Sequence, residues 1–78
     1  MKVIERIEMR KENYRCAYVP LIKLTKLLSS MRKGEAIEVL IDTERFSLDS
    51  VESLAKVYGA VCERISCRDN FIELLIKK

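Results

Sequence analysis

Residues 35–42 read EAIEVLID. Ile37, Val39 and Ile41 alternate along one side of an extended chain, while Ala36 and Leu40 fall on the other. A strand that is apolar on both sides belongs in the middle of a sheet. The segments flanking it have a different period. Upstream, PLIKLTKLLSSMR (20–32) sets Leu21, Leu24, Leu27, Leu28 and Met31 at three- and four-residue steps, the spacing of one helix face. Pro20 suits the first turn, where its missing N–H costs nothing. Arg32 and Lys33 suit the negative end of that helix, and Gly34 the position just past it. Downstream, Leu48, Val51, Leu54, Ala55 and Tyr58 predict a second helix over about 48–58, ended by Gly59. Ser47 or Asp49 would cap it, and Asp49 with Glu52 has the spacing of a capping box.

Further out, KVIERIEM (2–9) predicts a strand with Val3, Ile7 and Met9 on one face and Glu5 interrupting the alternation. RKENYRC (10–16) is a basic connection, and Asn13 is its best position for a left-handed backbone. AVCERISC (60–67) and FIELLIK (71–77) predict two more strands, joined as a hairpin by the turn-forming RDN. The expected order is β-α-β-α-β-β. Helical crossovers favour parallel pairing of the strands they join. The expected fold is therefore α+β: a two-layer α/β sandwich, with both helices on one face of a four-stranded mixed sheet.

With 78 residues the chain forms one domain, 1–78. A domain of this size buries roughly 60% of its unfolded surface, which leaves no room for a deep substrate cleft. Apolar residues make up 49% and charged residues 35%, proportions that fold rather than stay disordered. The longest stretch without a charge is Cys16–Ile22, seven residues, against the ~20 a membrane span requires. The charged start MKVIERIEMRK has no apolar signal core, so the expected location is the cytoplasm. A net charge of +3 is weak evidence for nucleic acid.

Chemistry-bearing residues are few. No histidine is present, which removes the common base and a Cys–His pair. Gly34 and Gly59 are the only glycines, too few for a phosphate-cradling loop. The acidic residues are scattered. Three cysteines cannot complete a four-ligand zinc site, and their odd number argues against a disulfide framework. Cys62 and Cys67 on one strand would stand roughly 16 Å apart, too far to pair. Both sit beside apolar neighbours and read as packing residues.

Cys16 is set differently. Pro20 in the first turn leaves Ala17, Tyr18 or Val19 to cap the helix, and none carries a suitable oxygen. The positive end of the helix and the adjacent Arg15, with Arg10 and Lys11 on the same connection, favour thiolate over thiol. The competing assignment is a small buried residue, the commoner fate of a free cysteine. Tyr14 and Tyr18 flank Cys16 and would either gate it or pack as loop aromatics. Lys23, Lys26, Ser30 and Lys33 lie along the outer helix face, which is either a solvated surface or a docking patch for an acidic partner or RNA.

These residues resemble the TusA/SirA-like sulfur carrier family over nearly the whole chain. The resemblance rests on the element order, a cysteine before the first helix, proline in its first turn, KGEAIEVLID, an aspartate in LDSVESLAKVYG and the closing ELLIKK. The family motif is C-P-x-P; here Cys16 matches its cysteine and Pro20 its second proline within the divergent CAYVP. Gly34 and Glu35 match a PGE turn with Lys33 for proline. Asp42 matches an acidic strand end, Gly59 the glycine after the second helix, and Asn13 a common glycine. The resemblance implies the fold of the C-terminal domain of translation initiation factor three. It implies that Cys16 takes a sulfane sulfur from a cysteine desulfurase or rhodanese-like donor. The persulfide would then pass to an acceptor enzyme in tRNA thiolation, cofactor synthesis or sulfur metabolism, with no cofactor and no membrane involved. Arg10, Lys11, Arg15, Pro20 and Lys23 would bind the sulfur or the partner. The alternative is a non-catalytic protein- or RNA-binding module of the same fold with Cys16 structural; a redox-sensing thiol is a third.

Overall fold

The structure is a computed structural model that describes residues 2–9 and 18–78, the side chains of 18–20 excepted. The elements are β1 (Lys2–Met9), α1 (Tyr18–Ser30), β2 (Glu35–Asp42), α2 (Leu48–Val57), β3 (Val61–Arg68) and β4 (Phe71–Lys77). The sheet order is β1-β2-β4-β3. β1 and β2 pair in parallel across the α1 crossover, and β4 pairs antiparallel with both β2 and β3. β2 and β3 therefore run the same way, as a helical crossover requires, with β4 inserted between them. Two helices against a four-stranded mixed sheet make the expected two-layer α/β sandwich.

The core lies between the layers. Ile37, Val39 and Ile41 of β2, Leu74 and Ile76 of β4, and Ile7 and Met9 of β1 meet Leu24 and Leu28 of α1 and Val51 and Ala55 of α2. Leu21, Leu27, Leu48, Leu54 and Tyr58 pack at its margin. Ala36, on the other side of β2, is also fully buried, and Leu40 is half-buried. The two-sided apolar strand is central, as its composition demands.

Two β-bulges shape the sheet where simple alternation fails. In β1 the register shifts between Val3 and Glu5. Ile4 packs against the core, and Val3 is 44% exposed, not inward with Ile7 and Met9 as alternation predicts. The extra residue reverses which side chains face the helices. In β3 the shift falls between Arg64 and Ser66.

The helix ends also depart from expectation. α1 begins at Tyr18, two residues before Pro20, and ends at Ser30 with no basic residue in its last turn. Arg32 and Lys33 lie beyond it in an exposed turn. The ammonium of Lys78 takes the role expected of them, donating to the Leu28 carbonyl at 2.7 Å and the Met31 carbonyl at 3.4 Å. Gly34, at φ 94°, donates its N–H to the Lys78 carbonyl and accepts from Lys2 N–H, so one turn joins β1, α1 and β4. α2 is capped by Ser47, whose hydroxyl accepts from Ser50 N–H; the Asp49–Glu52 capping box does not form. Glu52 instead faces Arg64 of β3 at 3.7 Å. At the other end Ala60 N–H donates to Ala55 O and Gly59 N–H to Lys56 O. This is the Schellman pairing, and it needs the left-handed backbone of Gly59 (φ 76°).

Candidate functional site

α1 and α2 both return antiparallel to the strands that precede them. Their N-termini therefore lie at the end of the sheet where β1 finishes at Met9 and β2 at Asp42. Ligands of open α/β sheets collect beyond the carboxyl ends of the parallel strands. Cys16, Arg10, Lys11 and Arg15, with Asn13 and Tyr14, lie outside the described residues. The anchors of their segment are described: Met9, fully buried, on one side and the first turn of α1 on the other. That turn contains no acidic residue, so its positive end is not neutralised from within. Pro20 is the third residue of the helix, within the turn expected of it. Lys23 follows one turn later and is exposed, as are Lys26, Ser30 and Lys33. Among the described residues none of these three lysines has an acidic partner.

Asp42, Gly34, Glu35 and Gly59 all have structural work. One Asp42 carboxylate oxygen accepts from the Asn70 side-chain amide at 2.7 Å and from Glu44 N–H at 3.0 Å. The Asp42 carbonyl accepts from Arg45 N–H and Phe46 N–H, while Thr43 bonds the Asn70 carbonyl through both its N–H and its hydroxyl. This clamp pins the end of β2 to the β3–β4 turn, where Asp69 adopts a left-handed φ of 55°. The Glu35 carboxylate accepts from Arg32 N–H at 2.7 Å, closing the turn after α1.

The other cysteines occupy the edge strand β3 and are free thiols. Cys62 is half-buried at the core margin; burial, with Glu52 nearby, pushes its thiol above the ordinary cysteine range. Cys67 is exposed, contrary to its expected role in packing, because an edge strand has a neighbour on one side only. Among the described residues no group of Cys, Asp and Glu is placed to hold a metal ion, and no helix is long and apolar enough to cross a membrane.

Sequence reasoning missed one concavity. Leu40, Ser66, Cys67, Arg68, Phe71 and Glu73 line an open-sided hollow of about 530 Å³ at the β2/β4/β3 corner of the sheet. The bulge that builds it leaves no periodic signal. No protein-family model matches this chain, and no curated protein and no solved structure matches it either.

Proposed function

We propose that this two-layer sandwich is a sulfur carrier that holds a persulfide on Cys16. The observation that supports it most directly is the placement of the Cys16 segment's anchors: it leaves the carboxyl end of a parallel strand and enters a helix whose first turn carries no acid. Positive helix ends favour thiolate, and Arg15 stands next in sequence. Transfer needs no net oxidant. The Cys16 thiolate attacks the outer sulfur of a donor persulfide, the donor S–S bond breaks, and the donor leaves as thiolate while Cys16 becomes the persulfide. Such exchange is fastest when the attacking thiol has a pKa near ambient pH. The donor would be a cysteine desulfurase or rhodanese-like protein, and the acceptor an enzyme that inserts sulfur into RNA or a small molecule. Lys23 and Lys26 would help dock either partner.

The test is mass spectrometry after incubation with a desulfurase and free cysteine. The expected product is one added sulfur atom on Cys16, absent from Cys16→Ser, together with alkylation of Cys16 below pH ~8.5, the ordinary thiol range. Absence of the adduct with several competent donors, and sluggish alkylation of all three thiols, would sink the proposal in favour of a binding module.

A further inference from the structure

The face of the sheet turned away from the helices is a grid that the registers define. One row across it is Glu8–Leu40–Glu73–Ser66, and the next is Asp42–Phe71–Arg68. The β3 bulge decides the right-hand column. Arg64 opposes Leu74, on the helix side, and its guanidinium meets Glu52 of α2. Ser66, two residues on, opposes Glu73, only one residue from Leu74. Without the extra residue Ser66 and Arg68 would follow Arg64 towards the helices. Bulges are used in this way to re-aim side chains beside functional sites.

The result is a hollow with opposed chemistry. Leu40 and Phe71, both half-buried, are diagonal neighbours and supply apolar surface. Arg68 has no anionic partner among the described residues, and the Ser66 hydroxyl has no hydrogen bond there. Glu73 has one long contact, 3.9 Å, to the Arg6 guanidinium. The stronger Arg6 pair is with Glu38 at 2.9 Å, so the Glu73 carboxylate keeps acceptor capacity. Arg68 and Glu73 are themselves diagonal across β3 and β4, a separation of roughly 7–8 Å between such backbone positions. A cation and an anion thus line one side of an apolar floor without pairing with each other.

We propose that this hollow binds a free apolar α-amino acid as its zwitterion. The carboxylate takes the Arg68 guanidinium, whose fork geometry suits it, with Ser66 as a second donor. The ammonium donates to Glu73, and the side chain lies on Leu40 and Phe71. The assignment is independent of the sulfur chemistry of Cys16.

The experiment is a ¹H–¹⁵N NMR titration of the whole chain with L-leucine, beside N-acetyl-L-leucine (no ammonium) and 3-methylbutylamine (no carboxylate). Saturable shifts centred on Leu40, Ser66, Arg68, Phe71 and Glu73 are expected with leucine. Removing either charged contact should weaken binding about 10-fold, whether through a control ligand or through Arg68→Gln or Glu73→Gln, with Lys56→Gln unchanged. These side chains are at the surface, and the spectra themselves report whether each variant is folded. No saturable shift, shifts centred elsewhere, or equal binding of either control would overturn the assignment.

Discussion

Replacing Lys78 by Met tests how α1 is closed. Methionine keeps most of the aliphatic stem and removes the ammonium. The backbone bonds of residue 78, to Glu35 O and from Gly34 N–H, need no side chain and remain. What is lost is a 2.7 Å bond from a cation to the Leu28 carbonyl and a long one, 3.4 Å, to that of Met31, both partly buried. A hydrogen bond to a charged group contributes about 1.5–3 kcal/mol, and a cation at an exposed helix C-terminus about 0.3–1 kcal/mol. Partial burial places Lys78→Met between these, at about 1–2 kcal/mol. A chain of this length has a total stability of roughly 4–12 kcal/mol, so the effect is readily measured. In urea unfolding followed by circular dichroism the midpoint should fall by about 1 M with the slope unchanged. Arg32→Met and Lys33→Met, at the positions the sequence nominates for the same task, should each cost less than about 0.5 kcal/mol. A Lys78→Met midpoint equal to that of the parent chain, or a larger loss from Arg32 or Lys33, would refute the assignment.

Leu28→Ala empties a fully buried position between α1 and the sheet and should cost about 2–5 kcal/mol, read as a large drop in thermal midpoint. Gly59→Ala meets no atom within 4 Å of the added carbon, so its cost is that of the left-handed backbone alone, about 1 kcal/mol, and Gly59→Asn should recover part of it. Cys62, held protonated by burial and then by Glu52, should resist iodoacetamide at neutral pH while Cys67 reacts, as peptide mapping would show. Because the folded chain keeps that proton longer than the unfolded one, stability at this site is intact below the unfolded thiol range and declines as pH rises through it. Glu52→Gln should move the Cys62 alkylation profile to lower pH.

The fold was legible because its strongest signals are periodic. The two-sided run Ile37–Val39–Ile41 with Ala36 and Leu40 required a central strand, and the Leu24, Leu28, Met31 stripe required a helix upon it. Bulges were not legible, since one inserted residue is invisible until a partner strand defines the register. Val3 was accordingly expected inward, and the Ser66–Arg68 corner was not foreseen. Lys78 escaped notice because its carbonyl partner on Leu28 is fifty residues away, beyond any local rule for helix ends. Cys67 was assigned by its apolar neighbours in sequence, whereas its exposure follows from the edge position of β3. Cys16 was singled out by a local pattern of charge and missing caps; its segment lies outside the described residues, and what the structure describes is its anchors, Met9 and the first turn of α1.

The order β1-β2-β4-β3 has a consequence for how the chain comes into being. Among the described strands the last in chain order, β4, is an interior one. Until β4 is synthesised, β3 lacks any hydrogen-bonding neighbour, and Leu74 and Ile76 are missing from the middle of the apolar layer. A nascent chain can form little beyond the β1–α1–β2 unit before Phe71–Lys77 is available. Assembly should then be abrupt, and a truncation ahead of Phe71 should leave an incomplete, aggregation-prone fragment, not a smaller version of the same domain.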